Sequence, residues 1–277
     1  EHIKSNYIIT MSNNSIELKI ENKVAYITLN RPEVFNSFNR EMALKLQGTF
    51  DACETDNEVR AIVLTGNGKA FCAGQDLKEV TDPELNPGFK KILEEHYNPI
   101  ITRIRAIKKP VIAAVNGVAA GAGANIALAC DVVVAHEKVS FIQAFSLIGL
   151  VPDSAGTFFL PRLIGFQKAL ALAMLGDKIS AEEAERMGMI YKNVPLDEFE
   201  DTIHKLAIKM ANMPTAALGK IKELFNKSMT NDLEAQLALE SKLQIEAAQS
   251  NDYAEGVAAF IEKRKPNFKG KDRKSVV

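Results

Sequence analysis

Between Lys109 and Asp131 the chain carries no charge, and the run from Pro110 to Cys130 reads PVIAAVNGVAAGAGANIALAC. A run of that length can cross a bilayer as a single helix. Its internal pattern argues against that: Asn116 and Asn125 interrupt it, Gly117, Gly121 and Gly123 punctuate it, and its first part is rich in valine and isoleucine. A buried strand, a glycine turn and a buried helix account for the same residues. No membrane contact is expected, and a strand followed closely by a buried helix points to an α/β architecture.

The rest of the chain agrees. VAYITL (24–29), RAIVLTG (60–66), PVIAAVNG (110–117) and DVVVAH (131–136) read as strands, and their apolar character without clean alternation predicts sheets covered on both faces. The segment 40–56 places Met42, Leu46, Phe50 and Cys53 on one helical face. After about residue 166 the pattern reads as helix only. FQKALALAMLG ends on a glycine stop, and SAEEAERMG opens with Ser180 and, three residues on, Glu183, a capping-box spacing. DEFEDTIHKLAIKMANM and further amphipathic stretches run to about Arg264. The expected organisation is a disordered extension over 1–13, an α/β core over 14–205, and a helical oligomerisation region with a basic tail over 206–277. Met11 offers a start site, which would make EHIKSNYIIT upstream sequence. The tail KRKPNFKGKDRK is either a solvated end or an anion contact.

Composition excludes several function classes. With 277 residues, 47% hydrophobic and 25% charged, the chain can bury a sizeable core, and its formal net charge of −1 gives no pull toward nucleic acid or an anionic membrane. The cysteines (Cys53, Cys72 and Cys130) are too few and too scattered for a disulfide framework or a zinc site, which fits a reducing, cytoplasmic setting. His2, His96, His136 and His204 show no metal-site or nucleophile–base spacing. No metal, flavin or nicotinamide is expected.

Two turns could hold developing negative charge. GKAFCAGQDLKEV (68–80) and VNGVAAGAGANIAL (115–128) each combine a strand, small residues and a helix start. Free N–H groups at such starts attract an anion, and two converging on one point would make an oxyanion hole; tight strand–helix packing would use the same small residues. Neither turn matches a dinucleotide fingerprint or a phosphate-binding loop. In GLVPDSAGT (149–157), Asp153 stands with apolar neighbours on one side and small ones on the other. It is either the N-cap of a helix starting at Ser154 or a base whose affinity for protons is raised by an apolar wall. EEHYNPII is a candidate pocket lid that would bring His96 or Tyr97 to a substrate. Cys72, with no histidine placed to activate it, reads as packing, and Asp131 as a strand-end anchor.

LNRPEVFNSF, GKAFCAGQDL, KPVIAAVNGVAAGAGANIALACD and GLVPDSAGTFFLPRLIG, in this order and spacing, resemble the crotonase (enoyl-CoA hydratase/isomerase) superfamily from about Ile16 to Lys271. Within it, RPEVFNSFN, FCAGQDL, NGVAAGAGA, AFSLIGLVPD and DYAEGVAAFIEKRKPNFKGK are most similar to isomerases of ring-epoxidised phenylacetyl-CoA in phenylacetate breakdown. The resemblance implies a spiral of ββα units with a C-terminal helical trimerisation region, assembled as a trimer or a dimer of trimers. It implies an acyl-CoA substrate, coenzyme A being part of that substrate and no separate cofactor being used. The thioester carbonyl would sit between the backbone N–H groups of Gln75 and Ala122. Asp76 would cap or shape its turn, Lys78 would approach the CoA phosphates, and Ala73 and Leu77 would border the substrate. Arg31 would lie near the pantetheine and adenine, and Phe260 and Lys263 would reach a neighbouring subunit's CoA.

Hydratases of this superfamily use two glutamates, and the resemblance places them at Asn125 and Phe145, neither of which can exchange a proton usefully; both are expected to border the substrate, Asn125 by shaping the pocket through packing or hydrogen bonds or by orienting substrate or Asp153. Asp153 then remains as the one acid, at a position where family isomerases keep one. Moving a proton within an acyl-CoA needs a base and an oxyanion hole but no second acid. The expectation is an acyl-CoA isomerase, acting on ring-epoxidised phenylacetyl-CoA and able to shift a β,γ double bond to α,β. A hydratase, or a non-catalytic member binding acyl-CoA or RNA, would be the alternatives.

Overall fold

A computed structural model describes residues 15–270. The expected extension over 1–13 and the basic tail from Lys271 onward lie outside the described residues, as does His2. The first hairpin is set by its turn. Asn22 and Lys23 both take positive φ (51° and 66°), the pattern of a two-residue hairpin turn whose twist matches its strands. It joins β1 (Ile16–Glu21) to β2 (Val24–Leu29) in antiparallel register. Helix α1 (Arg40–Thr55) follows, started by Asn39, whose Oδ1 accepts from the Met42 N–H at 3.0 Å. It buries Met42, Leu46, Phe50 and Cys53, the face expected from its spacing.

From there the chain winds as a spiral in which each turn lays one strand in each of two sheets. β3 (Ala61–Gly66) and β4 (Ala70–Cys72) lead to α2 (Leu77–Thr81), α3 (Phe89–Lys91), a π-helical stretch Ile92–Tyr97 and α4 (Asn98–Ala106). β5 (Val111–Val115) and β6 (Val118–Ala120) lead to α5 (Ala122–Ala129). β7 (Val132–His136) and β8 (Ser140–Ile142) lead to α6 (Gly156–Ile164) and α7 (Phe166–Leu175). The chain then adds β9 (Lys178–Ser180), α8 (Ala181–Arg186) and β10 (Lys192–Val194). The larger sheet has six strands in the order β1-β2-β3-β5-β7-β10, and the smaller has four in the order β4-β6-β8-β9. This is the expected spiral of ββα units.

Two expectations are corrected. The region after residue 166 is not helix only, because β9 and β10 each add an edge strand to one of the two sheets; at three residues each, they are too short to show a strand period. The boundary placed at residue 205 falls inside α9 (Phe199–Ala211). Ile203, Ala207 and Ala211 of α9 pack on Val24, Val63, Ile112 and Val134 of the six-stranded sheet, so this helix belongs to the core. The other face of that sheet carries the larger core, with Ile27, Leu64, Phe50, Ile100 and Ile126. Both faces are therefore covered, and β5 is buried along its whole length.

Every residue of α5 is buried, as expected of the uncharged run. No helix among the described residues is long and apolar enough to cross a membrane. Beyond α9 lie α10 (Thr215–Ser228), α11 (Leu233–Ala248) and α12 (Asn251–Ile261). They are tied to the spiral by polar anchors. Asp131 accepts from the Val111 N–H at 2.8 Å and pairs with Arg105 at 3.0 Å and with Lys222 of α10 at 2.7 Å. Asp131 is thus the strand-end anchor its position suggested, and it also fastens α10.

Candidate active site

The two small-residue turns meet. Gly74 has φ +94°, and a Cβ built there would lie 3.1 Å from the Ala120 carbonyl oxygen and 3.5 Å from the Ala122 nitrogen. A Cβ on Gly123 would sit 2.3 Å from the Cys72 carbonyl oxygen. Only residues without side chains allow β4 and the start of α5 to come this close. The Gln75 segment is held on its other side by Phe38, whose N–H donates to the Gly74 carbonyl at 2.7 Å and whose carbonyl accepts from the Asp76 N–H at 2.9 Å. Those bonds flank Gln75 and turn its own N–H away from Phe38. The Ala122 N–H is the first of α5 and has no carbonyl one turn back to bond. Neither N–H donates to a protein acceptor among the described residues. The two expected oxyanion-hole donors therefore come from adjoining turns.

Asp153 is delivered by a strained turn. Ser154 and Ala155 both adopt left-handed backbone (φ 50° and 60°), costly for residues with a Cβ and characteristic of functional sites. α6 begins only at Gly156, with Ala155 at its N-cap and no side-chain capping bond. The N-cap alternative for Asp153 is therefore overturned: two left-handed residues separate it from the helix, and its carboxyl is left half-buried and free for other work. Burial pushes that carboxyl up to about 6, against a lowering contribution from the Ser154 hydroxyl, which donates to Oδ1 at 2.9 Å. A carboxylate raised into this range is still ionised at neutral pH and is a stronger base than an ordinary aspartate.

Asn125, 1% exposed, holds this turn in place. Its Nδ2 donates to the Asp153 carbonyl at 2.9 Å, and its Oδ1 accepts from Gln143 Nε2 at 2.9 Å. Phe145 is buried with its ring 3.7 Å from the position a Cβ on Gly121 would occupy, beside the start of α5. Asp76 caps α2: its Oδ1 accepts from the Lys78 N–H at 2.9 Å while Oδ2 pairs with Arg31 at 2.8 Å. Arg31 also donates to the Ser37 carbonyl at 2.7 Å, so its guanidinium is engaged within the protein. Ala73, Leu77 and Lys78 are exposed along the rim of the first turn.

Other expected residues are placed elsewhere. Phe260 and Lys263 are exposed, and Phe260 lines a separate cleft of about 570 Å³ with Pro214, Lys220, Gln244 and Tyr253, on the C-terminal helices. Within one chain, the structure does not bring them to Asp153. His96 and Tyr97 do not form a lid surface, since the π-helical stretch buries each to 1% exposure. Cys72 is buried, and its thiol is pushed up to about 12 by that burial, in keeping with packing. Sequence reasoning missed Glu79 and the part played by Tyr97. Glu79 is four residues after Gln75, a helical spacing that brings side chains together. No local pattern links Tyr97 to either.

Main-chain N–H groups from two adjoining turns and one carboxylate raised by burial are the groups this site offers for chemistry. Residues 19–271 match the family model described as enoyl-CoA hydratase/isomerase, and the chain belongs to that family. It is 47% identical to a protein named probable enoyl-CoA hydratase from Rhodobacter capsulatus, over 94% of this chain and 100% of that one. It is 46% identical to 1,2-epoxyphenylacetyl-CoA isomerase from Escherichia coli, over 91% of this chain and 97% of that one. Among solved structures, a putative enoyl-CoA hydratase/isomerase from Mycobacterium abscessus superposes with a TM-score of 0.86 at 36% identity, covering 92% of this chain and 100% of that one. An enoyl-CoA hydratase from Bacillus anthracis gives 0.87 at 33% identity, covering 93% of this chain and 100% of that one.

Proposed function

We propose that the protein is an acyl-CoA isomerase that converts 1,2-epoxyphenylacetyl-CoA to its seven-membered oxepin isomer and also shifts β,γ double bonds of enoyl-CoA to α,β. The observation that carries this reading is Asp153: one carboxylate raised to about 6 by burial, with Asn125 and Phe145 at the positions expected of a hydratase's two acids. Asp153 takes the proton from the carbon next to the thioester. The electron pair moves onto the thioester oxygen, where the Gln75 and Ala122 N–H groups stabilise it. The resulting carboxylic acid returns the proton at a more distant carbon; with the ring epoxide, the bond between the two epoxide-bearing carbons also breaks, which opens the six-membered carbocycle into the seven-membered oxepin. Substrate and product contain the same atoms, so neither water nor a redox partner is consumed. The relative from Escherichia coli supports the aromatic substrate. The CoA moiety would extend past Lys78, with Phe260 and Lys263 contributed to a neighbouring subunit's CoA in a trimer or a dimer of trimers.

The name of the Rhodobacter capsulatus relative favours a second reading, hydration, in which Asp153 alone would activate water. The two are separated by turnover of a linear 2-enoyl-CoA, a linear 3-enoyl-CoA and 1,2-epoxyphenylacetyl-CoA in ¹⁸O-labelled water, followed by mass spectrometry. Products of unchanged mass support isomerisation. A product one labelled water heavier would overturn it in favour of hydration.

A further inference from the structure

Gln75 contributes a main-chain N–H to the oxyanion hole, yet its side chain lies in a network that the reaction does not use. Its Nε2 donates to Glu79 Oε2 at 2.7 Å, and its Oε1 accepts from the Tyr97 hydroxyl at 3.0 Å. The other Glu79 oxygen, Oε1, accepts from the Arg40 N–H at 2.7 Å, at the start of α1. Glu79 is 8% exposed and Tyr97 1%, and the Tyr97 ring meets Phe38 edge-on with centroids 5.9 Å apart. Phe38 is the residue whose main chain brackets Gln75.

The donor and acceptor inventory leaves little freedom in this network. A carboxylate only accepts, so Glu79 fixes the Gln75 amide with its nitrogen inward. That turns Oε1 toward the Tyr97 hydroxyl, which donates to it. Two side chains from distant parts of the chain, Glu79 on α2 and Tyr97 on the π-helical stretch, thereby clamp a residue whose N–H must point at a developing charge. π-Helical turns are uncommon and recur at functional sites; here the turn carries the Tyr97 ring to Phe38 and its hydroxyl to Gln75.

We infer that Tyr97 and Glu79 are positioning residues that hold the Gln75 N–H in line with the thioester oxygen. The inference rests on the oxyanion-hole reading above, and it assigns to a π-helical tyrosine a part in transition-state stabilisation rather than in binding. Loss of one oxyanion-hole donor costs roughly 10²–10³ in kcat, so a donor that is present but less well aligned costs about tenfold.

The test uses the full-length protein with phenylacetyl-CoA carrying ¹³C at the thioester carbonyl. Isotope-edited infrared spectroscopy of the bound ligand reads how strongly the hole polarises that carbonyl. Tyr97→Phe removes one oxygen and Gln75→Met removes the side-chain amide while keeping the main-chain N–H. In each variant the carbonyl band is expected to move part of the way back toward its free position. kcat for isomerisation is expected to fall about tenfold, with KM within about twofold. The double variant is expected to lose no more than Gln75→Met alone, because that substitution already removes the acceptor of the Tyr97 hydroxyl. An unmoved band with unchanged kcat in both variants would overturn the inference, as would additive losses in the double variant. If Tyr97→Phe does not fold, Gln75→Met carries the same comparison. A band that is polarised in the wild type and relaxes in the variants supports the inference even if no isomerisation is detected, in which case only the proposed reaction fails. A wild-type band at the free position removes the oxyanion hole and the inference together.

Discussion

The side-chain amide of Asn125 donates a 2.9 Å hydrogen bond to the main-chain carbonyl of Asp153, across 28 residues of sequence. This bond runs from α5, whose first N–H is a proposed oxyanion-hole donor, to the turn that carries the proposed base. An amide standing where a hydratase would need an acid thus becomes the fastening that aims the remaining acid. Asn125→Ala is expected to lower kcat about tenfold while acyl-CoA binding stays nearly intact, since the carboxyl survives but its turn loosens. Steady-state kinetics with a linear 3-enoyl-CoA check the split; a rise in KM alone would contradict it.

The close approach of the two turns predicts a sharper effect at Gly74. Alanine there meets the Ala120 carbonyl oxygen at 3.1 Å and is held at φ +94°, so β4 and the start of α5 must separate. The expected result is a loss of at least 10²-fold in kcat, the scale of removing an oxyanion-hole donor. Thermal unfolding of the same variant separates this from general collapse: a folded protein with near-wild-type turnover would contradict the geometry.

Asp153 links activity and stability to pH in opposite directions. Burial raises its carboxyl from 3.8 in the unfolded chain to about 6 in the folded one, so the folded protein binds the proton more tightly. Stability from this group is complete below about pH 4 and declines as pH rises through about 6. Turnover, which needs the ionised base, rises over the same window and levels off above it. Asp153→Asn removes the buried charge and is expected to be more stable than wild type at pH 8 by of order 1–3 kcal/mol, an advantage that disappears near pH 4. Denaturant titrations at the two pH values read this directly. Equal stability at pH 8 would show that the carboxyl is not strained by burial.

Asp76 is expected to be structural. Asp76→Ala removes both the α2 cap and the pair with Arg31, and is expected to cost about 1–2 kcal/mol. Asp76→Asn retains a capping oxygen and recovers much of that. Melting temperatures of the two variants, against a shift of about 2–4 °C per kcal/mol for a chain of this size, distinguish them.

How much of this was legible in the sequence follows from how local each signal is. The α1 face at Met42, Leu46, Phe50 and Cys53, the Ser180–Glu183 capping box and the buried α5 are patterns within one or two helical turns, and each forms as expected. The two oxyanion turns could be proposed from their glycines, but their meeting through Gly74 and Gly123 depends on the parallel pairing of β4 with β6. β9 and β10 escaped because each has three residues and takes its strand character from a sheet edge. The cap alternative for Asp153 failed because α6 starts later than its small residues suggest, after two left-handed positions that no propensity favours. The Tyr97 contact had no local signature, since 22 residues and a π-helical turn separate it from Gln75.

Asp153 is proposed to remove a proton next to the thioester. Solvent deuterium exchange into phenylacetyl-CoA and into a linear 3-enoyl-CoA tests it most directly, for wild type and Asp153→Asn under conditions where both bind ligand. Exchange at the carbon beside the thioester is expected in the wild type, and its loss, by at least 10³-fold, in the variant. Exchange that persists in Asp153→Asn would contradict it and assign the proton transfer to another group.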